Sequence, residues 1–197
     1  MRFRGVSVTT IHPIVRRFHP GDEASFFRAV RDSIDELAYW MPWCSRNYAI
    51  EDANRWIAFT LEAWSSAREY PLGIFDATTG DVIGGTGINH INKAYRIGNM
   101  GYWVSSRFTG RGVARFAARE AAITAFNQLG LTRLEIVALT HNKASQRVAQ
   151  ALGATFECEA RNRLYFQGKP HNALVYSLVP EDMGEQISTK IPSGQRT

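Results

Sequence analysis

Residues 99–129 constrain this chain most. Asn99 to Ser105 (Asn-Met-Gly-Tyr-Trp-Val-Ser) reads as a strand. It runs through Ser-Arg-Phe-Thr-Gly-Arg-Gly-Val-Ala at 106–114 into an alanine-rich helix that ends near Leu129 and is closed by Gly130. A strand that feeds a helix through a glycine-bearing loop leaves the first backbone N–H groups of that helix without intrahelical partners. Gly110 and Gly112 permit the sharp turn and a close ligand approach. The amides of Gly112, Val113, Ala114 and Arg115 then form an anion cradle, to which Arg107, Arg111 and Arg115 add positive charge. A tight β-to-α connection with no ligand is the alternative reading of the same residues. The spacing G-x-x-x-x-G-K-[ST] of a nucleotide phosphate loop is absent, as are the third glycine and later acidic residue of a dinucleotide fold. A pyrophosphate-bearing cofactor of another kind fits better.

The remaining elements follow from periodicity. Residues 14–18 read as a short strand; Gly21-Asp22-Glu23 then opens one helical stretch to about Tyr39, with Phe26, Phe27, Val30, Ile34 and Leu37 at helical spacing and Pro42 ending it. Ala53, Trp56, Ile57, Thr60, Leu61 and Trp64 mark an amphipathic helix from Glu51 to about Arg68. Residues 72–76 and 82–91 flank the turn cluster 77–81 as a hairpin, and Gly84, Gly85 and Gly87 in its second strand indicate a bulge or a close backbone approach. Residues 133–139 suit a buried strand, Asn142 caps a short helix through Leu152, and Gly153 stands where a left-handed C-terminal residue belongs. A broken strand at 155–167, a turn at 167–170 and a strand at 172–178 follow, leaving 181–197 as a polar tail expected to fray.

With 197 residues and 45% hydrophobic content, residues 1–180 are expected to form one domain with its own core. There is no run of eighteen apolar residues and no apolar signal segment after Met1, so neither membrane insertion nor secretion is expected, and the cytoplasm is. Cys44 and Cys158 are too few for a disulfide framework and stand in no metal-ligand spacing, so no metal site is expected. The net charge of +5 favours anionic partners, but the arginines are scattered rather than interleaved with aromatics, so specific nucleic-acid recognition is not expected.

Thr109-Gly-Arg-Gly-Val-Ala114 resembles the pyrophosphate loop of the GNAT acetyltransferases, Q/R-x-x-G-x-G/A, with Gly112 and Ala114 at the small positions and Thr109 in place of the usual Gln or Arg. Asn142-Lys-Ala-Ser145 and Leu152-Gly-Ala154 are similar to the family's second block, in which an asparagine and a small residue open a helix beside CoA. Ile14-Val-Arg-Arg17, Trp40-Met-Pro-Trp43 and Tyr48 to Ala53 resemble the RimJ/RimL-like subgroup, whose characterised members acetylate the N-terminal amines of ribosomal proteins. The resemblance covers about residues 10–180. It implies an α+β (broadly α/β) GNAT fold: a strongly twisted mixed sheet, splayed between its fourth and fifth strands, flanked by about four helices, with the pantetheine arm of CoA in the gap. It further implies acetyl-CoA as donor. Val104, Arg107, Thr109, Gly110, Arg111, Gly112, Val113, Ala114, Arg115, Asn142 and Ser145 would surround it, with the Val104 backbone amide directed at the thioester carbonyl.

Direct transfer to an amine needs an unprotonated nucleophile and a proton for the departing thiolate. The family's usual glutamate on the strand before the loop is Asn99 here, and its usual tyrosine in the last helix is Ala149. The remaining candidates are Glu157, as base by its position, and Ser145, whose hydroxyl serves either the sulfur or its own helix backbone. For Glu157 the alternative is a solvated strand residue. Trp40, Trp43 and His90 are candidate walls of the acceptor site, with packing for the tryptophans and a surface role for His90 as alternatives. The expected acceptor is a primary amine, with a protein N-terminus of the ribosomal type favoured over aminoglycosides and polyamines. A polycation needs clustered carboxylates, and Asp32, Asp35, Glu36, Glu51 and Asp52 instead sit on helix surfaces or caps. A non-catalytic CoA-binding module and a basic RNA-associated protein are the other readings, and monomer and homodimer are both compatible with the sequence.

Overall fold

A computed structural model of the chain describes residues 11–186; the expected fraying of 187–197 lies outside the described residues. The strands β1 (Pro13–Arg16), β2 (Tyr70–Asp76), β3 (Val82–Asn92), β4 (Ile97–Val104), β5 (Arg133–Leu139), β6 (Thr155–Phe166) and β7 (Lys169–Leu178) form one mixed sheet in the order β1-β2-β3-β4-β5-β7-β6. Around it pack α1 (Glu23–Arg31), α2 (Ile34–Trp40), α3 (Ile50–Ser65), α4 (Val113–Asn127) and α5 (Lys143–Ala151), five helices among the described residues where about four are expected.

The extra helix comes from a break in the stretch expected to run unbroken from Glu23 to Tyr39. Ser33 is a buried hydroxyl on an otherwise apolar path, and a buried hydroxyl must find partners. Its Oγ lies 3.0 Å from the Ser105 hydroxyl and accepts a hydrogen bond from the Ser106 amide at 2.9 Å. The backbone leaves helical geometry there (φ −124°, ψ 20°), and the α1–α2 junction is thereby pinned to the loop that follows β4. α2 stops at Trp40 because Met41, preceding Pro42, is extended (φ −110°, ψ 116°).

β2 and β3 form the expected hairpin. The glycines of β3 permit close approach: a Cβ on Gly84 would lie 2.5 Å from the Trp103 carbonyl oxygen, and one on Gly85 would lie 2.6 Å from the Trp103 indole nitrogen. β7 begins earlier than expected, at Lys169. The turn uses only Gln167 and Gly168, both with positive φ (47° and 78°), so Pro170 sits inside the strand opposite Tyr165. Residues Pro180–Gln186 form a 3₁₀ segment whose Met183 is buried in the main core, so the first part of the expected tail packs against the domain.

The functional consequence of the topology lies at its centre. β4 and β5 are the parallel pair, and their register holds only for Ile97↔Arg133, Gly98↔Leu134 and Asn99↔Glu135. Beyond that level β4 continues with β3 as far as Val104↔Gly84, and β5 continues with β7 as far as Leu139↔Ala173. The sheet is therefore splayed between its fourth and fifth strands. The alanines of α4 (Ala118, Ala121, Ala122, Ala125) are fully buried and join Met100, Leu134 and Ile136 in one core beneath the split. Gly84→Ala, with its methyl against backbone, is expected to lower stability by about 1–3 kcal/mol in urea unfolding. Gly101→Ala, whose Cβ meets nothing within 4 Å, should unfold close to the parent.

Candidate active site

The backbone groups exposed by the split have a fixed direction. The Ser105 amide donates to the Ile83 carbonyl at 2.9 Å, and in an antiparallel ladder such bonds alternate along the strand. The amides of Met100, Tyr102 and Val104 therefore point away from β3; that of Met100 faces the last paired residue of β5, and those of Tyr102 and Val104 face the side where β5 has parted. A cavity of about 370 Å³ lies here. Gly85, Gly87 and Gly101 contribute its floor, Phe26, Trp40, Trp43 and Trp56 an aromatic wall, and the β5 segment 136–139 with Asn142 and Ser145 the far side. Trp43 stacks on Trp56 (centroids 6.2 Å, planes 15° apart), while Trp40 stacks on His141 at 5.5 Å and Phe166 at 6.0 Å. α2 and the β6–β7 hairpin thus meet over the cavity. Trp40 and Trp43 both line it, where the sequence placed an acceptor wall.

At the carboxyl end of β4 the loop 105–112 delivers α4 with its N-terminus exposed. Gly112 is its N-cap residue at φ 79°, and the Phe116 amide makes the first helical bond to the Gly112 carbonyl at 3.0 Å. The amides of Gly112, Val113, Ala114 and Arg115 precede that bond and have no helical acceptors. Gly110 is also left-handed (φ 72°), and a Cβ at either glycine meets nothing within 4 Å, so both serve the turn and keep its outer side clear. Thr109 donates its hydroxyl to the Ser106 carbonyl at 3.0 Å and so closes the loop from within. Arg107 and Arg111 flank Phe108, at 5.8 and 6.0 Å from its ring, and Arg107 also reaches Asp32 at 3.5 Å. A diphosphate fits this arrangement: helix N-terminal amides with the Arg107 and Arg111 guanidinium groups nearby, and open space beside Gly110 and Gly112.

Tyr102 has no role in the sequence reading, yet the structure places it in the split. Alternation along β4 puts it on the same side as the buried Met100, facing α5. Its hydroxyl donates to the Ser145 carbonyl at 3.0 Å and lies 3.2 Å from the Ser145 hydroxyl, while the Ser145 amide bonds to the capping Asn142 carboxamide at 3.1 Å. Burial pushes the Tyr102 phenol up to about 12. Ala149 is buried in the core, so the phenol beside the split comes from β4 rather than from α5. Glu69 and Asn89 also line the cavity without having been expected. Asn89 accepts a hydrogen bond from the Asn99 side chain at 2.8 Å.

Two expected site residues lie elsewhere. Glu157 is on β6, separated from β5 by β7, and does not line the cavity. Both its oxygens accept from Arg133, at 2.6 and 2.5 Å, and this guanidinium holds its carboxyl down to about 2. A carboxylate so engaged is a poor proton acceptor, which corrects its assignment as base. His90 is exposed, at φ 47° in the irregular stretch of β3 between Asn89 and Asn92, and is turned out of the cavity lining. Cys44 and Cys158 are unpaired, and no group able to hold a metal occurs among the described residues.

Glu157 has a pH signature. Its folded-state pKa is lowered, so the stabilisation is present above the unfolded carboxylate value near 4.3 and is lost as pH falls toward about 2. Glu157→Gln is expected to be less stable than the parent at pH 6–7, with the difference shrinking below about pH 4. Its catalytic rate should stay near the parent's, and urea midpoints against pH, with one assay at neutral pH, check both statements.

Comparison with known proteins accords with this geometry. The profile of the Acetyltransferase (GNAT) domain matches residues 13–155. YdaF of Bacillus subtilis, provisionally named a ribosomal N-acetyltransferase, is 31% identical over 103 residues; the match covers 52% of this chain and 56% of that protein. The chain thus spans little more than half of that relative. A structure from Vibrio cholerae, provisionally named a ribosomal-protein-serine acetyltransferase, superposes with a TM-score of 0.75 at 29% identity, covering 88% of this chain and 97% of that one. The spermidine N-acetyltransferase of Vibrio cholerae shares the fold alone, with a TM-score of 0.70 at 15% identity and coverage of 87% and 97%. Split sheet, amide cradle and matched profile together establish that this chain belongs to the GNAT acetyltransferase family.

Proposed function

We propose that this chain transfers an acetyl group from acetyl-CoA to a primary amine within a ternary complex, and that the favoured acceptor is the N-terminal amine of a protein. The observation that carries this reading is the coincidence of two backbone devices: the amide row of β4 facing the split, and the amide cradle of α4 at the end of that strand. Acetyl-CoA supplies the acyl thioester. The amides of Gly112 to Arg115 hold its diphosphate, with Arg107, Arg111 and Arg115 around them. The β4 amides align the pantetheine arm, and the Val104 amide takes the oxyanion position. Tyr102 stays protonated through the neutral range and, with the Ser145 hydroxyl beside it, offers a hydrogen to the departing sulfur.

A protein N-terminal amine fits the acceptor side. Its pKa lies near 8, against about 10 for a lysine-like amine, so it needs only modest help to become a nucleophile. Among the described residues Glu69 is the single carboxylate lining the cavity, which suits one positive charge better than the several of a polyamine. The relatives named for ribosomal-protein acetylation support the same class. Such an acceptor would place the chain in the cytoplasm.

The test is thiol release from acetyl-CoA with a panel of short peptides, spermidine and an aminoglycoside. Release with free-N-terminal peptides, and none when their amine is blocked, is expected. Tight CoA binding without turnover on any amine would point to a binding module instead. Tyr102→Phe should lower kcat roughly 10²-fold while leaving the KM for acetyl-CoA near the parent value.

A further inference from the structure

Glu69 lines the cavity, is half-buried there, and has no hydrogen-bond or ion-pair partner among the described residues. Nearby cations are committed elsewhere: Arg68 pairs with Glu62, and the Arg17 guanidinium lies 3.5 Å over the Trp64 ring. The backbone that carries Glu69 is well fixed. After α3, Ala67 takes a left-handed conformation (φ 53°), and the amides of Ala67 and Arg68 bond back to the carbonyls of Trp64 and Ala63 at 3.3 and 3.2 Å. The Trp64 indole N–H then spans the turn to the Pro71 carbonyl at 2.7 Å. A carboxylate held beside apolar and aromatic walls is costly unless something cationic meets it.

Strand register sets how far this carboxylate stands from the reacting centre. Glu69 immediately precedes β2, and one step back from the pair Tyr70↔Ile88 brings it level with Asn89. Asn89 pairs with Asn99, which stands five residues before Val104, whose amide is assigned to the thioester. At about 3.3 Å per residue along a strand and about 4.8 Å between neighbouring strands, the two backbones lie about 19 Å apart. The attacking amine is out of reach of Glu69, so its cation belongs to a part of the acceptor farther along. The floor between the two points suits an extended chain. Asn99, Gly101 and Trp103 share one face of β4, the face on which Trp103 packs against Phe26 and Trp43. Gly101 is paired with Gly87, and a Cβ at Gly101 would meet nothing within 4 Å, so this face of β4 is open between Trp103 and Asn99.

We propose that Glu69 reads a lysine or arginine side chain at the third or fourth residue of the acceptor protein, an assignment that rests on the acetyl-transfer reading above. With the terminal nitrogen at the thioester, the third and fourth Cα atoms of an extended chain stand about 8 and 12 Å along it. The span that remains is one that a glutamate and a lysine side chain, built from bonds of about 1.5 Å, can bridge between them. Glu69 thereby selects among protein N-termini by a charge on the same chain whose amine is acetylated, and takes no part in proton transfer.

The test is kcat/KM for a series of free-N-terminal peptides in which one lysine walks from the second to the seventh position of an otherwise uncharged sequence. The parent is expected to favour lysine at the third or fourth position roughly tenfold over the lysine-free peptide, and to disfavour glutamate there. In Glu69→Gln that ratio should fall to about one, and in Glu69→Lys it should invert in favour of glutamate, a reversal that a merely structural role would not produce. A parent with no positional preference, a preference at another position, or a preference that survives Glu69→Gln overturns the assignment and leaves the transfer reading standing. A parent that releases no thiol with any peptide of the series overturns both.

Discussion

A parallel strand pair that stops after three residues leaves backbone N–H and C=O groups on both strands without partners, and such groups are costly to bury unpaired. β4 and β5 part after Asn99↔Glu135 while each keeps its outer neighbour, so the sheet is continuous yet open along one seam. Two features flank the seam. α4 lies close on its alanine face, and the Tyr102 hydroxyl ties β4 to the first turn of α5. The amide-bearing pantetheine arm of CoA is a chemically apt occupant, because it offers a strand edge the groups the missing neighbour would have offered. The same strand that opens the seam ends at the loop before α4, so one backbone would register both diphosphate and thioester.

Charge is divided between the two ends of the cleft. Arg107, Arg111 and Arg115 stand at the exposed loop and N-terminus of α4, where a diphosphate would lie, and Glu69, the one carboxylate lining the cavity among the described residues, immediately precedes β2. The remaining cavity wall is largely aromatic, built from α2, the following loop and α3. An anionic donor and a cationic acceptor would thereby meet different parts of the site. Neither needs a strongly charged interior, which a cavity walled by tryptophan would penalise.

The backbone devices were legible in the sequence because they are local. A glycine-bearing loop between a strand and an alanine-rich helix is written in consecutive residues, and the strand expected at 133–139 is the one observed. The break at Ser33 was not legible, since its partners Ser105 and Ser106 lie 72 and 73 residues away. Pro170 misled because proline reads as a turn residue, whereas the hairpin turns at Gln167 and Gly168 and admits proline at a strand position. Side-chain roles failed for the same reason of distance. Glu157 looked available only because Arg133 could not be seen beside it, and Glu69 and Tyr102 converge on the cavity only once strand register is known.

Amide hydrogen exchange resolved by NMR, with and without acetyl-CoA, tests the split-sheet account most directly. The amides of Tyr102 and Val104, together with those of Gly112 to Arg115, should exchange readily in the free chain and become protected on saturation. The alternate β4 amides already bonded to β3 should change little. Saturable binding with no added protection at those six positions would contradict the account.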